Sequence, residues 1–95
     1  MKTYKRIGAV TTAVQIIKYL SDQREPVSAA VVAEGTNIQY ATLMCHLVTL
    51  EDAGIVRQVG DHWQLGTGMA LLWARSKART EAQQHNINNL LSALG

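Results

Sequence analysis

Gln39, Tyr40, Ala41 and Thr42 stand in a row at the head of an apolar-periodic segment, with Cys45 one turn further on. A glutamine amide can pair with the N6 and N7 edge of adenine, and a threonine can bond a phosphate or touch a thymine methyl. A tyrosine hydroxyl can donate to a phosphate. Ala41 and Cys45, like the neighbouring Met44 and Val48, offer only apolar contact. On a helix, such a row suits the major groove of double-stranded DNA, where exposed side chains read base edges. The same face, small and apolar with an adaptable methionine, also suits a protein partner. Both readings stay open on the residues alone.

Charge sharpens the choice. Between residues 26 and 56 there is no Lys or Arg, against three acids, Glu34, Glu51 and Asp52. Phosphate contacts supply most of the sequence-independent affinity for DNA, so on that reading the positive charge must come from elsewhere. Lys2, Lys5 and Arg6 form a basic arm over residues 1–7, and Arg75, Lys77 and Arg79 lie late in the chain. These are six of the nine Lys and Arg residues, in two short segments without an acid. With Arg57 and His62 on a predicted hairpin, Lys5, Arg6 and Arg75 are the candidate backbone contacts. If they do not share a side with the reading helix, DNA is the wrong partner.

Several classes of function are not expected. The sequence has no paired carboxylates, Cys-x-x-Cys, glycine-rich phosphate loop or nucleophile elbow, so neither an enzyme, a metal site nor a cofactor is expected. Cys45 is the single cysteine of the 95 residues, which rules out an internal disulfide and fits a reducing cytoplasm. His46 falls on the flank of a predicted core rather than in a ligand cluster. The basic start does not lead into a signal sequence, because Thr11, Thr12, Gln15 and Lys18 interrupt the apolar run. No stretch is apolar enough to span a membrane. The chain reads as one small soluble domain with a core of Ala, Val, Ile and Leu, since Phe is absent.

The elements that must position these residues are legible in the spacing. Val10, Ala13, Val14, Ile17 and Leu20 predict an amphipathic helix over residues 8–22, ended before Pro26. Ser28 is the natural N-cap of a short helix over 29–35, although Val31 stands where a capping box would have Glu or Gln. Gly35, Thr36 and Asn37 make the turn, with Asn37 in the left-handed region. A third helix over 39–53 buries Leu43, Leu47 and Leu50 and turns Ala41, Cys45, Val48 and Asp52 outward, and Gly54 stops it. Residues 55–59 and 62–65 form a hairpin about Gly60-Asp61. A helix-favouring stretch follows over 69–94, as one helix or as two divided at the polar residues 80–86.

The order is that of a mainly α domain with a small β-hairpin, a winged helix-turn-helix. It has a three-helix core, a two-stranded wing and a C-terminal helix or helices. The arm covers residues 1–7, the domain 8–66 and the C-terminal helical segment 67–95.

The span from Val10 to about Trp73 resembles the DNA-binding domain of IclR-type transcriptional regulators. The resemblance rests on Ala13-Val14-Gln15-Ile16-Ile17, Pro26-Val27-Ser28, Thr49-Leu50-Glu51-Asp52-Ala53-Gly54-Ile55-Val56, Trp63-Gln64-Leu65-Gly66 and Leu71-Leu72. It implies a bacterial or phage transcription regulator that binds double-stranded DNA, here as a stand-alone winged helix without the family's effector domain, with Trp63 plugging the core from the wing. Tyr40-Ala41-Thr42 departs from the family's usual Lys-Ser-Thr, and only Thr42 keeps its character, so a family member's base readout does not carry over. Helix-turn-helix readers gain affinity by pairing half-sites. A homodimer is therefore expected through the first and last helices, with Leu72, Trp73, Ile87, Leu90, Leu91 and Leu94 in the interface.

Overall fold

The structure, a computed structural model, describes the backbone of residues 3–94; beyond residue 84, Leu91 is the one side chain described. Four helices and three short strands follow in the order α1 (Gly8–Ser21), β1 (Val27–Ser28), α2 (Ala29–Thr36), α3 (Tyr40–Asp52), β2 (Val56–Val59), β3 (His62–Leu65) and α4 (Thr67–Leu94).

Local chemistry sets the boundaries. The Ser28 hydroxyl accepts from the Val31 amide at 3.3 Å, so it caps α2 without the reciprocal partner of a full capping box. Asn37 takes the left-handed conformation, with φ 57° and ψ 33°, and the Ile38 amide reaches back to the Ala33 carbonyl at 3.2 Å. That pairing turns the chain sharply from α2 into α3. Gly54 ends α3 in the same way at φ +77°, while the Ile55 amide closes on the Leu50 carbonyl at 2.9 Å.

The sheet order is β1-β3-β2, antiparallel throughout, so the wing hairpin gains a third strand that the sequence reading did not place. Val27 pairs with Trp63 and Ser28 with His62. Two residues are too short for alternation to show, and partners across the sheet define them instead. Val59 pairs with His62 across Gly60-Asp61, and Gly60 alone of the two loop residues has positive φ, +63°. Positive φ at the first central residue only is the pattern of a type II′ hairpin turn.

The core joins Ile16 and Leu20 of α1, Ala29 and Val32 of α2, Leu43 and Leu47 of α3, Val56 of β2 and Trp63 of β3. On α1 the predicted apolar face divides. Ile16 and Leu20 are buried, whereas Val10 and Val14 stay 58% and 42% exposed. Trp73 is 65% exposed and lies against Lys77, whose Nζ is 5.1 Å from the ring centroid.

The C-terminal segment is one helix, not two. Residues 80–86 carry no Gly or Pro and consist mostly of residues a helix accepts in water, so their polarity marks exposure rather than a break. α4 docks through its first turn. The Gly68 amide donates to the Gly54 carbonyl at 3.1 Å, and a Cβ on Gly68 would stand 2.5 Å from that oxygen. Gly68→Ala is therefore expected to cost about 1–3 kcal/mol despite alanine's better helix propensity. The check is a lower urea midpoint with an unchanged m-value. From Ala70 to Gln84 every residue of α4 is exposed.

Candidate nucleic-acid interface

α3 enters its first turn from Gln39, whose side chain does not cap it. The first intrahelical bond closes from the Leu43 amide to the Gln39 carbonyl at 2.9 Å, and the amides of Tyr40, Ala41 and Thr42 find no acceptor among the described residues. Unpaired amides and the positive end of the helix dipole make such a terminus attractive to phosphate. Of the three acids of residues 26–56, the two on α3 are remote from it, while Glu34 is exposed on α2, five residues before Gln39. Glu51 and Asp52 close the last turn of α3, about 16 Å along the axis from Tyr40 at 1.5 Å per residue. A helix without a basic residue thus still presents the positive end of its dipole, with its own two acids at the opposite end.

Gln39, Tyr40, Ala41 and Thr42 are all exposed at this end, Tyr40 by 54%. Two threonines of α3 differ in what they can still do. The Thr49 hydroxyl donates to the Cys45 carbonyl at 2.7 Å, which spends its proton inside the helix. The Thr42 hydroxyl has no partner among the described residues, while its carbonyl accepts from His46 Nδ1 at 2.8 Å. His46 is half-buried and engaged with its own helix, as its place beside the core predicts.

Cys45 is exposed, and it stands on the flank of α3 that faces α1. There Val10, Ala13 and Val14 of α1 and Cys45, His46 and Thr49 of α3 border an open apolar groove of about 380 Å³. Ala9 lines the same groove, so the arm that carries Lys5 and Arg6 begins beside this flank of α3. Both residues are exposed and lie within a few residues' reach of it.

The wing carries two of the expected contacts on one face. Opposed residues of antiparallel strands share a face, and successive residues alternate. Val56 with Leu65, and Gln58 with Trp63, therefore point to the core side, while Arg57 with Gln64, and Val59 with His62, point away from it. The Arg57 guanidinium donates to the Gln64 side-chain oxygen across the strands, which holds the cation outward. His62 Nδ1 meets Asp61 Oδ1 at 2.6 Å, and this hydrogen bond, with the charge of the ring behind it, holds the Asp61 carboxyl below its ordinary pKa. A depressed carboxylate favours the folded state above its unfolded pKa, and that contribution fades as pH falls through the folded value. His62→Ala should raise the Asp61 pKa, as followed by NMR of its carboxyl carbon.

Arg75 is placed apart from these groups. It stands on α4, which docks at the Gly54 exit of α3, the end remote from Gln39–Thr42, and the described contacts do not bring it to that row. Leu72 is 52% and Leu91 63% exposed. The side chains of Ile87, Leu90 and Leu94 lie outside the described residues. The unpaired first turn of α3 was not legible in the sequence, although the absence of Ser, Thr, Asp or Asn before Tyr40 was its signal.

Three helices, a turn held by a left-handed residue and a hairpin packed behind the third helix define a winged helix-turn-helix DNA-binding domain. The IclR helix-turn-helix domain matches residues 9–60, more than half of the chain, and the protein belongs to that family. Among solved structures it is similar to Pseudomonas aeruginosa HmgR, at 18% identity and a TM-score of 0.69, over 73% of this chain and 29% of that one. It is also similar to the Zalpha domain of Cyprinid Herpesvirus3 ORF112, whose structure concerns binding to Z-DNA. That likeness has 22% identity and a TM-score of 0.54, over 59% of this chain and 93% of that one. At these identities the likeness is one of fold. No curated protein matches the chain. Among the described residues no helix is long and apolar enough to cross a membrane.

Proposed function

We propose that this protein is a sequence-specific transcription regulator of bacterial or phage type, with α3 in the major groove of double-stranded DNA and the wing along the backbone. The observation that carries the reading is the first turn of α3. Its free amides, the unspent Thr42 hydroxyl and the exposed Gln39 and Tyr40 converge there. Phosphate is held by the helix terminus and by Tyr40, with Lys5 and Arg6 on the neighbouring arm and Arg57 and His62 on the wing. Gln39 and Thr42 read bases, and Ala41 permits close approach. Cys45 stands on the α1 side of the helix and contributes an apolar edge at most. Arg75 serves only DNA that extends past the α3 exit. The protein acts as a homodimer in the cytoplasm, so that two weak half-sites are engaged together.

Selection of bound duplexes from a random pool by the purified full chain tests this. A palindrome is the expected product, and a pool without enrichment would refute sequence-specific binding. Gln39→Ala and Thr42→Ala should each relax the preference at one position, by about 1–3 kcal/mol per base contact. Arg57→Ala should instead weaken all duplexes alike. A second reading, a protein-interaction module, is favoured by Val48, an apolar residue 48% exposed on the outer face of α3. On that reading no duplex is retained at low salt.

A further inference from the structure

We propose that the wing takes up a proton when it binds DNA, with His62 as the group that accepts it and Asp61 as the residue that positions the ring. Such uptake presupposes the DNA contact proposed for the wing, and it sets the condition under which the wing holds a phosphate.

Histidine is the side chain whose charge ordinarily changes between about pH 5 and pH 8. On the wing, His62 Nδ1 lies 2.6 Å from Asp61 Oδ1. A carboxylate has no proton to give, so the ring donates through Nδ1. The pair stands at the hairpin turn, on the sheet face turned away from the core, with the His62 side chain 46% and the Asp61 side chain 93% exposed. Nε2 of His62 has no partner among the described residues.

These placements decide what the wing can offer. In the neutral ring the single proton is on Nδ1, and Nε2 is an acceptor. A phosphate oxygen is an acceptor too, so the neutral ring has nothing to give it. The turn then carries the bare charge of Asp61, which repels a phosphate. Protonation at Nε2 reverses both effects. The pair becomes neutral, and a cationic N–H is free to donate to a phosphate oxygen in a charge-assisted bond. Asp61 acts in either state, because its hydrogen bond fixes which nitrogen is left for DNA. Its carboxyl, held below its ordinary pKa by that bond, stays charged throughout this range.

The other charges around the pair are constant or turned away. Arg57 shares the outer face, two residues along β2 from Val59, which pairs with His62, and a guanidinium is charged at every pH in question. β1 brings Ser28 opposite His62 and no ionisable side chain. The helical core packs on the Trp63 face, so Lys18 of α1, Glu34 of α2 and His46, Glu51 and Asp52 of α3 stand on helices behind the opposite face. α4 docks beside Gly54, at the other end of the hairpin from Gly60-Asp61. Proton uptake and DNA binding are therefore linked, each favouring the other, and affinity rises as pH falls.

Fluorescence anisotropy of the full chain with a labelled random-sequence duplex, at constant low salt from about pH 8 to about pH 6, tests the linkage. The wild type is expected to gain affinity about tenfold or more on acidification. His62→Gln, whose amide donates at every pH, should be flat within about twofold. Asp61→Asn should bind more tightly than wild type at the alkaline end and gain less on acidification. His46→Gln and His85→Gln, which replace the other two histidines, should keep the full gain. Calorimetry near neutral pH in two buffers of different ionisation heat should show net proton uptake, lost in His62→Gln. Three results would overturn the proposal: a wild-type affinity independent of pH, a gain that survives in His62→Gln, or weaker binding by Asp61→Asn than by wild type at the alkaline end. Binding without pH dependence would leave the DNA reading standing, whereas a duplex retained at no pH would remove that reading as well.

Discussion

Trp63→Ala is expected to lower stability by about 3–5 kcal/mol, a large share of what so small a domain possesses. Trp63 is 3% exposed and lies on the central strand, where it pairs with Val27 on one side and Gln58 on the other. Its indole fills the space between the sheet and the helices in a core that has no Phe to repack with. Removal leaves a cavity at the point where β1, β3 and the helices meet, and small aliphatic neighbours cannot close it. Urea denaturation of the variant should show a much lower midpoint. Trp73→Ala is the matched comparison. That ring is mostly exposed and its one aromatic contact is with Lys77, so its loss should cost no more than about 1 kcal/mol. Equal losses for the two tryptophans would contradict the placement of the core.

Ala41→Glu should abolish duplex binding, by roughly 100-fold or more, with the fold intact. Ala41 is exposed in the first turn of α3. A carboxylate there interacts favourably with the helix terminus, so thermal stability should hold or rise slightly. The same carboxylate would meet the phosphates and fill the space through which the helix backbone approaches the groove. Like charges brought together across an interface cost several kcal/mol. Ala41→Ser, small and neutral, should retain most of the affinity. The pair separates loss by charge and bulk from loss by any change at all, and fluorescence anisotropy with a labelled duplex measures both.

Much of the fold was legible because each boundary rests on a short-range rule. Ser28 as a cap, Asn37 in the left-handed turn and Gly54 at the exit of α3 are decided by neighbours within five residues. Trp63 in the core was legible through the family resemblance at Trp63-Gln64-Leu65-Gly66. What escaped depends on partners distant in sequence or on solvent. β1 exists because Val27 and Ser28 meet β3 across the sheet. Residues 80–86 stay helical in water, where polarity alone left one helix or two open. On α1, periodicity merged two neighbouring stripes into one face, and only packing separates Ile16 and Leu20 from Val10 and Val14.

The candidate site divides on the same line. The row Gln39–Thr42 was legible as residue types, and its chemistry follows from them. That the first turn has free amides, that Thr49 spends its hydroxyl on Cys45, and that Cys45 faces α1 follow from helix geometry and neighbours. The missing positive charge of residues 26–56 takes a different meaning in the structure. Glu51 and Asp52 stand at the far end of α3, and the end proposed to meet DNA carries the positive pole of the helix dipole without a basic side chain.

The central claim is that this end of α3, supported by the arm and the wing, is presented to duplex DNA. Its most direct test is the affinity of the full chain for a labelled duplex as salt rises from about 50 to about 200 mM. The account predicts retention at low salt and a linear fall of log affinity with log salt, with a slope of roughly 0.9 per phosphate neutralised. Failure to retain any duplex at the lowest salt, with the chain folded, would contradict it.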